Sequence, residues 1–256
     1  MLGVMALAAI STFGTVKSEI ETGHTMLGKI VTAYPRWVLD AAVGCRTPEC
    51  GALFVGVWTA SELTDVYDDV RRRTFNEIDP RVGYAYSLEL AEGWAIDSQI
   101  EFQHSQMRYA DCPDSFRQWI FTETLRTPYV DAYGFCWLVT HPYCDPAYRL
   151  GLRKDVPVHG PFSIEPHLYL DLGTQSWNER RFGQHTTEPA HYEGGVSAIN
   201  VHLLGLWRWN ENVKLYAGVR HISVVQDEIR RQYDAWNSPN AKADFTYFVA
   251  GVYLTF

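Results

Sequence analysis

Acidic, basic and amide side chains occupy every second position in several stretches of this sequence. In the clearest stretch, residues 77–90, Asp79 and Arg81 alternate with the apolar residues Ile78 and Val82. Successive side chains of a β-strand point to opposite faces, so this spacing separates a polar face from an apolar one. If such strands close into a barrel, the polar faces line a lumen in which rings of charged side chains select among ions and small solutes.

The candidate lumen residues come from several stretches of this kind. They are Asp79, Arg81, Asp97, Gln99, Glu101, Glu165, His167, Asp171, Lys214 and Arg220. Acids outnumber bases in this set, so the selectivity of an open pore should lean weakly toward cations. The alternative is that mixed charges at close quarters pair with one another and plug a small barrel. The sequence leaves both interpretations open.

Nucleophilic and metal-binding chemistry finds little support in the residue pattern. His104 and Ser105 are the adjacent pair of most interest for hydrolysis, but neighbouring residues of a strand point to opposite faces. The chain has no G-x-S-x-G motif, and its 9 histidines are scattered. No cysteine or histidine spacing matches a zinc site. We therefore predict no catalytic residue, no metal and no cofactor.

The 5 cysteines could form disulfides if the protein folds in an oxidising compartment. Cys45 and Cys50 flank the turn-like sequence R-T-P-E, which makes them one candidate pair. Cys112 and Cys144 lie in two predicted loops on the same side of the barrel and form the second candidate pair. Cys136 would then remain unpaired, and free thiols throughout are the open alternative.

Composition and charge exclude several classes of protein. A formal net charge of −8 and an isoelectric point near 5.6 argue against nucleic acid as a partner, because phosphate binding requires a basic surface. A helical membrane protein needs apolar runs of roughly 20 residues, and the run from Leu2 to Ile10 is too short. A mean hydropathy of −0.19 is compatible with a transmembrane barrel, whose lipid-facing residues alternate with polar ones.

Alternation divides the chain into about twelve predicted strands. They span residues 18–29, 37–44, 52–61, 77–90, 94–106, 116–126, 130–139, 148–156, 162–173, 192–209, 213–226 and 245–256. The connections after even-numbered strands are short, whereas residues 62–76, 174–190 and 227–244 form long loops. Short turns on one side, longer loops on the other and an even number of strands are typical of bacterial outer-membrane barrels.

The last stretch, residues 245–256, alternates throughout and stops on Phe256. An apolar edge strand in water would promote aggregation, whereas a strand that closes a membrane barrel has no free edge. The stretch resembles the final strand of bacterial outer-membrane barrels, which commonly ends on Phe, and this resemblance implies recognition by the barrel-assembly machinery. Residues 1–15 are predicted to be a signal-peptide remnant, because they contain a short apolar run with small residues. Residues 16–256 would then form one barrel domain.

Two stretches resemble the TorF family of porins. The strand motif G-x-x-x-G-x-W of that family is similar to Gly51–Trp58 (GALFVGVW), which has one more residue between its glycines. The acidic motif E-x-D-x-x-x-G-Y is similar to Glu77–Tyr84 (EIDPRVGY). The resemblance implies a bacterial outer-membrane β-barrel. The cysteine-bearing turns and the charged loop at residues 62–76 depart from the family pattern.

We therefore predict an all-β fold, a transmembrane antiparallel up-and-down β-barrel of about 12 strands with short periplasmic turns and longer extracellular loops. It would lie in the bacterial outer membrane, with membrane lipid and small solutes as partners. The favoured function is a passive channel. Its lumen should be narrow, because the diameter of a barrel grows with its strand number and twelve strands are few for a porin. The alternative is a non-conducting structural or adhesive barrel that acts through its loops. An outer-membrane hydrolase and a soluble all-β protein are less favoured.

Overall fold

The computed structural model describes residues 10–26, 29–32, 34–63, 77–107, 115–182, 192–235 and 242–256. Residues 1–9, which hold most of the apolar run in the expected signal-peptide remnant, lie outside this described part. So does most of the charged loop at residues 62–76. Within the described ranges, β-strands dominate and two short helices lie in the connections.

The strands and helices are numbered in chain order. The strands are β1 (Ser11–Glu21), β2 (His24–Met26), β3 (Lys29–Thr32), β4 (Arg36–Thr47), β5 (Gly51–Glu62), β6 (Glu77–Ala91), β7 (Trp94–Met107), β8 (Phe116–Arg126), β9 (Asp131–His141), β10 (Asp145–Arg153), β11 (Val156–His159), β12 (Phe162–Gly173), β13 (Gly195–Arg208), β14 (Val213–Val224) and β15 (Asp244–Thr255). The helices are α1 (Gln175–Phe182) and α2 (Asp227–Ala235). The long strands form because their alternating side chains suit two different environments, one on each face of the sheet.

One sheet joins the long strands in sequence order and closes on itself. Each long strand pairs antiparallel with its neighbour, and β1 pairs with β15 from Thr15↔Thr255 to Glu21↔Val249. Strand β10 pairs directly with β12, and the short β11 continues β10 along the same edge of β12. With β10 and β11 counted as one strand, the protein is a closed antiparallel barrel of 12 strands, which confirms the predicted fold class.

The two ends of the barrel differ. Short connections such as Glu92–Gly93 join the strands at one end, which we call the turn end. The longer connections, including those that contain α1 and α2, lie at the other end, which we call the loop end. Because the strands are antiparallel, β1 runs toward the loop end and β15 returns to the turn end.

The first strand begins earlier than the sequence predicts. A strand is expected at residues 18–29, whereas β1 spans Ser11–Glu21 and the chain then folds back through β2 and β3. Residues 11–15 therefore belong to the barrel sheet, so that the sheet begins before residue 16. The periodicity of β1 is weak because small residues such as Gly14 and Ser18 alternate with polar ones, which gives little contrast between its two faces.

Two helices lie in connections that the sequence predicts as polar loops. Helix α1 follows Thr174, whose hydroxyl oxygen accepts a hydrogen bond from the Trp177 backbone N–H at 3.1 Å. Helix α2 begins with Asp227 and Glu228, acids that interact favourably with the N-terminus of a helix. Each helix is too short for its periodicity to be distinguished from that of a loop. No helix in the described ranges is long and apolar enough to cross a bilayer.

The loop end carries a small hydrophobic core of its own. The ring of Phe182 on α1 lies with its centre 6.2 Å from the ring of Tyr192 and 6.1 Å from that of Tyr233. Ile229 of α2 is fully buried in the same cluster. Burial raises the pKa of Tyr192 to about 12, so its phenol stays neutral. The connections at this end are therefore packed together rather than separate.

The outward face of the barrel is an apolar belt. Its exposed side chains include Val43, Leu53, Val55, Leu88, Leu150, Leu168, Leu203 and Phe248. Trp94, Trp207 and Tyr129 are exposed toward the turn end, where aromatic residues of membrane barrels meet the lipid–water interface. A continuous apolar surface is unfavourable in water and matches a hydrocarbon layer.

Aromatic rings from neighbouring strands cover several inward glycines. At Gly83, a Cβ atom would lie 2.3 Å from Cζ of Phe54 and 2.8 Å from the carbonyl oxygen of Ile100. We expect Gly83→Ala to lower the free energy of unfolding by about 1–3 kcal/mol, because the Phe54 ring must leave its position. Urea unfolding in detergent micelles, followed by tryptophan fluorescence, measures this change.

Gly134→Ala is the matched control for this substitution. A Cβ atom at Gly134 would meet only Cδ2 of Leu150, at an ordinary contact distance of 3.6 Å. The free energy of unfolding should therefore change little. If both variants lost the same stability, close packing of Phe54 over Gly83 would not be the cause.

Candidate functional site in the barrel lumen

The strand register separates the inward residues of the barrel from the apolar belt. Residues that lie opposite each other on paired strands share a face, and the inward face continues from Arg81 through Gln103 to Gln118. The lumen candidates from the sequence all fall on this face. They are Asp79, Arg81, Asp97, Gln99, Glu101, Glu165, His167, Asp171, Lys214 and Arg220. That they line a conducting path stays a prediction.

Side chains of β1, β4 and β14 form a charge cluster, the Glu21 cluster, made of Glu19, Glu21, Arg36 and Arg220. Arg36 is fully buried and donates from Nε to Glu21 Oε1 at 2.6 Å. Arg220 donates from Nη1 to Glu21 Oε2 at 3.1 Å and from Nη2 to Glu19 Oε2 at 2.9 Å. The Tyr216 hydroxyl also donates to Glu19 Oε2, at 2.8 Å. Lys17 Nζ also lies 3.3 Å from Glu19 Oε2, so three bases surround the two acids and this group adds no negative charge to the lumen.

A second group, the Arg81 layer, consists of Arg81, Asp40 and Glu101. Arg81 donates from Nη2 to Asp40 Oδ1, and its Nη1 lies 3.5 Å from Glu101 Oε2. Gln103 donates to Glu101 Oε1, and Gln118 donates from Nε2 to Gln103 Oε1 at 2.7 Å. One base faces two acids in this layer, so it has an excess of negative charge.

Hydrogen bonds also hold the candidates on β12. Arg149 donates from Nε to Asp171 Oδ1 at 2.7 Å, and Asn200 donates from Nδ2 to Asp171 Oδ2 at 2.9 Å. The Tyr133 hydroxyl lies 2.6 Å from His167 Nε2. Asp171 and His167 are therefore fixed parts of the wall rather than mobile side chains.

A cavity of about 550 Å³ opens at the turn end of the lumen. Asp97, Gln99, Ala85 and Arg153 line it. Arg126 donates from Nε to Asp97 Oδ2 at 2.6 Å, so a base partly neutralises this acid. Both groups are considerably exposed, and the ion pair contributes little to stability because water screens it.

The remaining candidates, Lys214 and Glu165, lie on strands β14 and β12. Lys214 Nζ lies 5.8 Å from the centre of the Tyr253 ring. Glu165 lies opposite Leu204 in the register. The structure thus distributes the sequence-predicted set over several groups along the barrel and does not bring it into one site.

The hairpin formed by β2 and β3, the β2–β3 hairpin, folds into the lumen instead of extending β1. The Thr25 hydroxyl lies 3.1 Å from the hydroxyl of Tyr247, an inward residue of β15. His24 Nδ1 lies 2.7 Å from Glu21 Oε1 in the Glu21 cluster. The hairpin therefore rests against the wall made by β1 and β15. The sequence does not predict it, because residues 18–29 alternate as one continuous strand.

A second cavity, of about 230 Å³, remains between the β2–β3 hairpin and the opposite wall. We call it the loop-end cavity. Its lining includes His24, Trp58, Glu77, Asp79, Phe135 and Trp137. On β6, Asp79 lines this cavity and Ala85 lines the turn-end cavity, so Arg81 lies between the two.

His104 and Ser105 lie on opposite faces of β7. Ser105 is buried on the inward face, where its Oγ accepts a hydrogen bond from Gln118 Nε2 at 3.1 Å. His104 is the next residue of β7 and lies on the outward face, opposite Arg117. A histidine on the other side of the sheet cannot act as a base for Ser105.

Cys45 and Cys50, the first candidate disulfide pair, are both free thiols in the structure, which agrees with the alternative that the sequence left open. The register of the hairpin explains this result: Leu53 lies opposite Cys45, and Cys50 belongs to the turn. A disulfide needs two Cα atoms within about 7 Å and Cβ atoms that point toward each other. For the second expected pair, Cys112 lies outside the described residues, so its pairing with Cys144 stays a prediction.

Several charged residues of the lumen are not in the sequence-predicted set. They include Glu19, Glu21, Arg36, Asp40, Glu77 and Arg149. Glu19 and Glu21 share one face of the predicted first strand, so alternation could have identified them. Arg36 directly precedes the predicted second strand, and only the pairing of β4 with β1 places it beside Glu21.

Comparison with known proteins identifies the fold. No protein-family model and no curated protein matches the chain. Among solved structures, a KdgM porin aligns with a TM-score of 0.51 at 10% identity, over 95% of this chain and 99% of that one. A NanC porin aligns with a TM-score of 0.53 at 9% identity, over 94% and 98%. An outer-membrane channel from Pseudomonas putida F1 aligns with a TM-score of 0.52 at 9% identity, over 100% of both chains. The protein therefore has the β-barrel fold of these outer-membrane proteins.

Proposed function

We propose that the protein is a narrow outer-membrane channel for small solutes with a weak preference for cations. One observation carries this proposal: a closed barrel, apolar outside, encloses a polar lumen with a cavity toward each end. Between the cavities, the Arg81 layer presents one base to two acids. An excess of negative charge at a constriction favours the passage of cations.

The narrowness follows from the strand number and from the β2–β3 hairpin. Barrels with 16–18 strands leave a wide aqueous channel, and the diameter decreases roughly linearly as strands are removed. Here the hairpin also occupies part of the lumen at the loop end. Only small solutes would then pass through the lumen.

The structural likeness to two porins and an outer-membrane channel supports this function, and it also supports a location in the bacterial outer membrane. The resemblance to the TorF family belongs to this proposal as well. Its two sequence motifs lie on β5 and β6 and include Trp58 and Asp79 of the loop-end cavity.

A non-conducting surface barrel is the second candidate. The β2–β3 hairpin and the paired charges of the Glu21 cluster fill much of the lumen. At the same end, α1 and α2 pack into a small core that could present a fixed surface to a partner. This candidate requires that the purified, folded barrel never conducts.

Single-channel recording in a planar bilayer tests the proposal. We expect discrete conductance steps and, in a salt gradient, a reversal potential that favours cations. Arg81→Gln removes the base of the Arg81 layer and leaves Asp40 and Glu101 without it. The ratio of cation to anion permeability should therefore rise by about twofold or more.

Arg231→Gln is the matched control, because it removes one positive charge from the exposed surface of α2. The permeability ratio of this variant should equal that of the unmodified protein. If the folded protein gave no conductance steps, the second candidate would replace the channel. If Arg81→Gln shifted the ratio no more than Arg231→Gln, selectivity would not arise at the Arg81 layer.

A further inference from the structure

Two acids of β6 face the loop-end cavity with no ion pair to any described residue. Glu77 is 2% exposed and Asp79 is 5% exposed, and both line the cavity. Asp79 Oδ1 is buried and has no hydrogen-bond partner within the described part of the chain. A buried carboxylate oxygen without a donor is costly, so it marks a position where a ligand can supply one.

The bases near this cavity already have partners. Arg149, which lines the cavity, donates to Asp171 at 2.7 Å. Arg36 donates to Glu21 at 2.6 Å, and His24 Nδ1 lies 2.7 Å from the same acid. Arg36 and Arg181 act on Glu77 through space, and Arg81 acts on Asp79 in the same way. An ammonium group in the cavity would make the direct contact with these acids that the bases do not.

Trp137 supplies a complementary hydrogen-bond donor. Its indole Nε1 is buried and likewise lacks a hydrogen-bond partner among the described residues. An indole N–H donates only, so it calls for an oxygen acceptor on the ligand. Trp58 and Phe135 add aromatic walls to the same cavity, and aromatic faces attract ammonium groups.

The volume of the cavity limits the size of the ligand. At about 30 Å³ for each water molecule, roughly eight waters would fill it, since its volume is about 230 Å³. A small organic molecule such as one sugar ring has a suitable size. Within the described ranges, no group of three or more His, Cys, Asp or Glu side chains could hold a metal ion, so an organic cation fits better than a metal.

We propose that the loop-end cavity binds a small hydroxylated amine, of which an amino sugar is the representative class. The ammonium group lies at Asp79 and Glu77, and a hydroxyl oxygen accepts the hydrogen bond of Trp137 Nε1. If the proposed channel function holds, this amine is also the transported solute. The binding site itself does not depend on the channel function.

Isothermal titration calorimetry of the full chain in detergent tests the site without requiring conduction. Glucosamine and glucose are the probes, because they have nearly the same size and differ in the charged amine. Glucosamine should bind, and glucose should bind about tenfold more weakly or not at all, since it lacks the charge-assisted hydrogen bond. Equal affinities for the two sugars would overturn the proposal.

Two variants separate the roles of the cavity groups. Asp79→Asn keeps the side-chain shape and should weaken glucosamine binding by about tenfold. Trp137→Phe keeps a ring and removes the N–H, so it should weaken glucosamine binding but leave the binding of ethylamine, which has no oxygen, unchanged. Glu92→Gln, in the exposed turn between β6 and β7, is the control with the same loss of charge.

The outcomes distinguish this inference from the proposed channel. If Asp79→Asn and Glu92→Gln weakened glucosamine binding equally, the site would be overturned. If Asp79→Asn did not fold, the comparison of glucosamine with ethylamine in Trp137→Phe would still test the site. A protein that conducts but binds no glucosamine would refute the site and leave the channel. A protein that binds glucosamine through Asp79 but never conducts would retain the site and refute the channel.

Discussion

Removal of residues 24–32 is expected to raise the single-channel conductance several-fold. This segment contains β2 and β3, and their hairpin rests against Tyr247 inside the lumen and limits the loop-end cavity to about 230 Å³. Without them, the inward face of β1 and β15 would be open to water, and the cross-section at the loop end would increase. Because conductance grows with the cross-section of the narrowest part, bilayer recordings measure the effect directly.

A variant in which a Gly/Ser segment of equal length replaces residues 24–32 is the control for this deletion. Such a segment is flexible, so the current should fluctuate, and its mean should lie between the currents of the unmodified protein and of the deletion variant. Heat-dependent mobility in gel electrophoresis shows whether each barrel is folded. If the folded deletion variant conducted no better than the unmodified protein, the hairpin would not be the constriction.

Arg220→Met is expected to destabilise the barrel by about 3–5 kcal/mol, because it leaves part of the Glu21 cluster without its base. Arg220 donates to both Glu19 and Glu21, which are 3% and 1% exposed. Removal of one partner of a buried ion pair leaves an uncompensated charge that water cannot reach. The free energy of unfolding in urea, measured in detergent micelles, should show this loss.

Arg231→Met is the control for Arg220→Met. Arg231 of α2 forms an ion pair with Glu228 at 3.2 Å, and both side chains are largely exposed to water. An exposed pair contributes about 0–1 kcal/mol, so the control should change little. Similar losses for the two variants would show that burial does not determine the strength of the Glu21 cluster.

Local alternation is sufficient to locate most of the barrel. Residues 116–126 and 162–173 are predicted strands and have the same bounds in the structure, as β8 and β12. The contrast between apolar residues outside and polar residues inside is strong in β12, where a period of two reveals it. It is weaker in β8, where Arg117 and Glu123 face outward and Ile120 faces inward. Where the contrast is weak, as around Gly14 and Ser18 of β1, the prediction misplaces the strand.

The alternation of polar and apolar residues also assigns each residue to one face of the sheet, since every second side chain of a strand lies on the same face. Asp79, Arg81 and Glu101 are therefore predicted on the inward side, and the register places them there. The pattern within one strand contains no information about which strand lies opposite. The pairing of Arg36 with Glu21 depends on the register between β4 and β1, so the sequence could not predict it.

The sequence by itself thus determined the fold class, the strand order and the polar character of the lumen, because each depends on local periodicity and on the lengths of connections. Only the tertiary structure decided which charges neutralise one another, that the β2–β3 hairpin enters the lumen, and that Cys45 lies opposite Leu53. These features depend on contacts between residues that are distant in the chain. Barrel closure, which brings β1 beside β15, creates the wall on which the hairpin rests and confines Asp79 to a small cavity.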